Sequence, residues 1–237
     1  INMKAYGGHR NHCHRWTICE QMLELADSPR EEAFIAGYLS HLAADTIAHN
    51  HFVPYHLTRY ARTKGLGHLY WEMNADRFVP EDRWEVVARL KTRPELTAMD
   101  RLVNATVPRK ALSMGTNKAI FNHVLLVSER EQYRRGIARL HPIGRLKLKK
   151  GFLDRFRDAA VERIVLALRP DGIEQLAHID TNGKQAQKRA MQMRRGVLQR
   201  LAPGRVRRKH SEQLAAPFLE GMQTPPPPGT NGHQPHW

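Results

Sequence analysis

Apolar positions along this chain recur at three- and four-residue steps, the period of a helix with one buried face. From Asn11 to about Ala26 the repeat is carried by Trp16, Cys19, Met22 and Leu23. Ser28-Pro29-Arg30-Glu31 then reads as a capping box with proline at the first helical position. The helix it opens is expected to run to about Asn50 and to bury Phe34, Ile35, Tyr38, Leu39, Leu42 and Ile47, with Pro54 preventing much extension. Further helices are expected over Leu66 to Val79 and Glu81 to Leu90, then one ending near Val103 behind a second capping box at Thr92 to Glu95. Three more fall at about 109–139, 152–169 and 184–201, separated by His141-Pro142, Pro170-Asp171-Gly172 and Asn182-Gly183. No stretch alternates at period two, so the predicted class is all-α: a multi-helix bundle followed by a disordered C-terminal tail.

Composition sharpens this picture. The 237 residues suffice for a sizeable core without disulfides, and 41% hydrophobic residues mark a globular chain. Cys13 and Cys19 are too few for a disulfide framework. The longest apolar stretch, about Ala33 to Leu39, is far short of the roughly 18 residues that a membrane span needs. The chain starts at Ile1 rather than Met, and reads as a processed chain or a fragment.

The net charge of +15 is unevenly placed. Residues 1–130 hold 17 basic and 14 acidic side chains, residues 131–210 hold 21 and 7, and residues 211–237 hold none and 2. Histidine is skewed the other way, with 8 of 14 in the first 68 residues. The expected division is therefore a metal-binding helical core at 1–130, a basic helical extension at 131–203, and a disordered basic and Pro-rich tail at 204–237.

The histidines carry the chemistry. His41, Asp45 and His49 stand at i, i+4 and i+8. On an α-helix they share an arc of roughly 80° with axial steps of about 6 Å, beside the apolar stripe. Inward-facing imidazoles and carboxylates are costly to bury unless something binds them, and a divalent cation such as zinc takes both donor types. His41 and Asp45, one turn apart, can share an ion. His49 lies about 12 Å along the axis from His41 and is better placed for a second ion. Its partners are expected from His68 and Glu72, again at i, i+4, with Asp76 extending the same face. Two histidines and one carboxylate leave an open coordination position, the mark of a catalytic zinc site. In the front helix His14 is best placed to point into the bundle, with His12 as the alternative. His51 and His56 are expected in an exit loop, solvated or supporting a ligand rather than ligating.

The run Gly37-Tyr38-Leu39-Ser40-His41-Leu42-Ala43-Ala44-Asp45 through His49, followed by His68-x-x-x-Glu72-x-x-x-Asp76, resembles the bacterial zinc-dependent phospholipase C family. The broader fold group includes the trinuclear zinc nucleases. His14-Arg15-Trp16 before an amphipathic helix is similar to the amino-terminal helix of the secreted phospholipases. The resemblance implies an all-α fold with a cleft for two or three zinc ions. His41 and Asp45 would bind one, Asp45 would bridge to another held by His14, and His49, His68 and Glu72 would bind the remaining one. It also implies a further aspartate upstream, and none matching precedes His9, so the first cluster is expected to be N-terminally incomplete. The implied reaction is phosphoester hydrolysis by metal-activated water, with Asp45 in the catalytic centre and a phospholipid or other phosphodiester as substrate. Alternatives are a nuclease or phosphatase on the same scaffold, or a non-catalytic metal-stabilised module that binds anionic membrane or RNA. The basic residues of 131–210 offer a peripheral contact to anionic membrane, with nucleic acid less favoured.

Overall fold

The computed structural model describes residues 14–60, 64–91, 99–107 and 148–222. Among them every regular element is helical. The contacts group the chain into two units interleaved in sequence: Ile1–Tyr38 with Asp76–Lys147, and Leu39–Ala75 with Leu148–Trp237. This grouping differs from the three sequential segments expected, because pairing of residues distant in sequence, rather than local composition, decides what packs together.

The first unit contains α1 (Trp16–Leu25), the opening of α2 (Pro29–Ile47), α5 (Glu81–Lys91) and α6 (Asp100–Thr106). Trp16, Ile18, Cys19 and Met22 form the buried stripe of α1, which packs on α6. The N-terminus of α2 is capped as its sequence suggests, with one shift. The Glu31 N–H faces Ser28 Oγ at 3.4 Å, but the Glu31 carboxylate accepts from the Asp27 N–H at 2.9 Å, one residue earlier than a standard box. Arg101 from α6 donates to the same carboxylate at 2.6 Å. The expected capping box at 92–95 and the expected helix at 109–139 lie outside the described residues.

The second unit holds the end of α2, a π-helical turn at Ala48–Phe52, α3 (Val53–Tyr60), α4 (Lys64–Asp76), α7 (Lys150–Ala167), α8 (Gly172–Leu176), α9 (Lys184–Arg200), α10 (Arg205–Ala215) and a 3₁₀ turn at Ala216–Phe218. Helices α9 and α10 both pack on α3, and α7 packs on the π-turn. Rings from four segments meet around His56: Phe52 at 4.5 Å, Trp71 at 4.1 Å, Tyr55 at 5.2 Å and Phe152 at 6.0 Å between centroids.

Three expectations are corrected here. The helical course of the chain does not stop before Pro54, because after α2 it passes through the π-turn and continues as α3. The Val53 N–H bonds to the Ala48 carbonyl, an i→i−5 register, so Pro54 and its missing donor fall in the first turn after the register change. His51 and His56 are therefore not in an exit loop. Both are buried in helix, their Nδ1 atoms bonded to the Phe218 carbonyl at 2.9 Å and the Phe52 carbonyl at 2.7 Å. Residues 205–218 are helical rather than the start of a disordered tail. The basic face of α10 is exposed, while Ser211, Ala215 and Phe218 are buried in the second unit, and that burial orders the segment. Residues 223–237 lie outside the described residues.

Arg163 of α7 braces the end of α2. It is 3% exposed and donates to Thr46 Oγ1 and to the Met222 carbonyl, each at 3.2 Å. Burial pushes its guanidinium down to about 10, still charged at neutral pH.

Burial also pushes the His56 imidazole down to about 3, against the bond to the Phe52 carbonyl. His56 is thus neutral in the folded chain and binds its proton only on unfolding, near its ordinary value of about 6.5. The stability this provides is complete above pH 6.5 and is lost as pH falls toward 3. Denaturant titrations between pH 7.5 and pH 4.5 should show stability falling on acidification. In His56→Phe the fall should be shallower by about 1.4 kcal/mol per pH unit, one proton's worth.

Candidate metal centre

Two adjoining elements set out the donors. Helix α2 carries His41 and Asp45 one turn apart, and the π-turn places His49 one step further on. Asp45 is buried, with Oδ2 at 3.5 Å from His41 Nε2 and 3.8 Å from His49 Nδ1. His41 is half-exposed. The carboxylate therefore sits between a solvent-facing imidazole and a largely covered one. The wider π-turn begins at Ala48, so the straight α-helical arc expected through His49 holds only as far as Asp45.

Helix α4 presents His68 and Glu72 to His49. Glu72 Oε1 lies 2.9 Å from His68 Nε2 and 3.4 Å from His49 Nε2, and the two imidazoles stand edge to face at 5.2 Å. His49, His68 and Glu72 each offer one ligand atom, all within 4.8 Å of one another. Trp71, the neighbour of Glu72, is 2% exposed and seats the opposite side of α4 against His56. Alternation of a ligand face with an apolar face on one short helix fixes where the donors point.

The electrostatics of this trio suit a cation. Burial opposes charge on His49, but the Glu72 hydrogen bond, the Asp45 charge and the Thr181 carbonyl outweigh it and hold its pKa above the ordinary histidine value. Burial would likewise raise Glu72, yet hydrogen bonds from both histidines hold it down to about 2. Glu72 is a permanent anion at neutral pH, with two imidazole nitrogens facing it. Imidazole nitrogen and carboxylate oxygen are the donor set zinc takes in three-ligand sites, so these residues fit the ion.

His14 stands just before α1, in the first unit. His12 lies outside the described residues. Asp76 ends α4 and is exposed. The sequence did not reveal the groups that support the donors: Thr181, Asn50 and Arg163 carry no motif, and they act through contacts across 117 to 132 residues of chain.

Comparison with known families supports the resemblance read from the sequence. Residues 2–111 match the model of the zinc-dependent phospholipase C family. The matched segment is just under half of the chain, and over it the chain is similar to that family. Neither the curated proteins nor the solved structures contain a match to the chain. The family segment contains His14 and all five donors of α2, the π-turn and α4, while the helices that pack behind the π-turn come after it. Together the match and the two-histidine, one-carboxylate group support zinc binding and a phospholipase-like function. No helix among the described residues is long and apolar enough to cross a membrane.

Proposed function

We propose that this chain is a zinc-dependent hydrolase that cleaves phosphoester bonds in the manner of a phospholipase C. The supporting observation is the convergence of His49, His68 and Glu72 within 4.8 Å on a family segment named for zinc. These three would hold one ion. His41 and Asp45 would hold a second, and His14 keeps its role as a zinc ligand on the sequence resemblance alone. Bound zinc supplies Lewis acidity, which lowers the pKa of water toward neutrality and offsets charge developing on a phosphoryl oxygen. Asp45 would be the carboxylate of the catalytic centre, its Oδ2 facing both His41 and His49 as a ligand atom. Half-exposed His41 and Glu72 leave the donors open to an anionic substrate.

A substrate panel tests this reading. Phosphatidylcholine vesicles, a nitrophenyl phosphodiester, a nitrophenyl phosphomonoester and single-stranded DNA should be compared before and after chelation. Diester cleavage with release of a phosphorylated headgroup, abolished by chelator and restored by zinc, is expected. Cleavage of DNA alone would make the chain a nuclease, and cleavage of the monoester alone would make it a phosphatase. No turnover of any of them would leave only the non-catalytic module.

The substrate class also accounts for the basic helices. Helices α9 and α10 contain ten Lys and Arg against the single acid Glu212. Lys188, Arg195, Arg200, Arg205, Arg208 and Lys209 are all exposed. Such a surface suits an anionic membrane at about 1 kcal/mol per residue. Replacing Arg205, Arg208 and Lys209 with Ala should weaken binding to phosphatidylserine-containing vesicles roughly a hundredfold at low salt. Binding to neutral vesicles should hardly change, and added salt should erase the difference.

A further inference from the structure

His49 has two ring nitrogens, and only one can serve as a ligand. Its Nδ1 lies 2.7 Å from the main-chain carbonyl of Thr181, and its Nε2 faces Glu72. A carbonyl only accepts, so the bond places the ring proton on Nδ1 and leaves the Nε2 lone pair facing Glu72 and His68.

The turn that supplies this carbonyl is tied to the π-turn at two further points and braced within itself. The Asn50 side-chain amide donates to the Asp180 carbonyl at 2.7 Å and to the Thr46 carbonyl at 2.9 Å, joining turn to helix. The Asp180 carboxylate accepts from the Asn182 and Lys184 N–H groups at 3.0 and 2.9 Å, holding the turn in shape at the start of α9. Gly183 has φ +55°, and a Cβ there would lie 2.0 Å from the His49 carbonyl oxygen. Only glycine permits both the left-handed conformation and so close an approach.

We propose that the Asp180–Gly183 turn is a positioning device for His49, selecting its Nδ1–H form and aiming Nε2 at the zinc position. The inference rests on the reading of His49 as a zinc ligand. It makes ligand geometry in the family segment depend on a turn that lies outside residues 2–111. Groups of this kind change metal affinity by roughly 10–100-fold when removed.

The test uses the full chain and its Asn50→Ala and Gly183→Ala variants. Zinc affinity is read by chelator competition, the His49 tautomer by ¹⁵N NMR of the zinc-free protein at alkaline pH, and folding by thermal unfolding. The parent should bind zinc and show His49 as the Nδ1–H form. Asn50→Ala, which adds no bulk, should lose roughly 10–100-fold in zinc affinity and show mixed tautomers while its unfolding midpoint stays close to the parent's. Gly183→Ala should show the same loss or a larger one, and if it does not fold, Asn50→Ala decides. A parent that binds zinc with His49 as the Nε2–H form, or variants with parental affinity, would overturn the positioning role alone. A parent with the Nδ1–H form that binds no zinc would overturn the reading of His49 as a ligand and this proposal with it.

Discussion

Glu72→Ala is expected to remove zinc from the His49 and His68 position and to lower phosphodiester cleavage on the order of a thousandfold. Glu72 is the one carboxylate of the trio, with both imidazole nitrogens facing it at 2.9 and 3.4 Å. Its truncation leaves two neutral or repelling imidazoles at 5.2 Å with no anion between them. The side chain is 43% exposed and fills no core, so unfolding free energy should change by less than about 1 kcal/mol. Glu72→Gln keeps an oxygen donor but not the charge, and should fall between the parent and Glu72→Ala in zinc affinity. Zinc titration and denaturant unfolding on the same samples check both statements. Full zinc affinity in Glu72→Ala would remove the residue from the site.

The second large effect is one of stability. Trp71 is 2% exposed, and its ring packs tilted against His56 at 4.1 Å and Tyr60 at 5.2 Å and edge to face with Tyr70 at 5.1 Å. Trp71→Ala should cost about 3–5 kcal/mol through the lost apolar surface and the cavity left behind. Because Trp71 seats the helix that carries His68 and Glu72, zinc should bind more weakly even where the variant remains folded. A loss below about 1 kcal/mol would mean that this ring does not anchor α4.

The ligand spacing was legible because it is local. His41-x-x-x-Asp45 and His68-x-x-x-Glu72 each lie within one helical turn, so periodicity alone places each pair together. The start of α2 was legible for the same reason, since Ser28, Pro29 and Glu31 act within a few residues of one another. The course of the chain after Ile47 was not. Proline ordinarily stops a helix, yet the π-turn at Ala48–Phe52 absorbs Pro54, and nothing in the five residues AHNHF announces an i→i−5 register. The burial of His51 is settled by the Phe218 carbonyl, 167 residues away, and the orientation of His49 by Thr181, 132 residues away. The cationic run at 205–209 looked incompatible with order until the opposite face of α10 was seen to be buried. Charge on one helical face tells little about the other.

The charge asymmetry also has a clearer meaning. The donors lie in the half of the chain with nearly balanced charge, whereas among the described residues α7 and α9, both rich in Lys and Arg, pack on the π-turn. The basic half therefore has a structural part in the site as well as an exposed surface.

The most direct measurement of the central claim is metal content combined with X-ray absorption at the zinc edge on the purified chain. The account predicts at least one zinc per chain, with imidazole nitrogens at about 2.0–2.1 Å and a carboxylate oxygen in the first coordination shell. It also predicts that one ion is lost in Glu72→Ala. Less than one zinc per chain, or a coordination shell without imidazole, would contradict it.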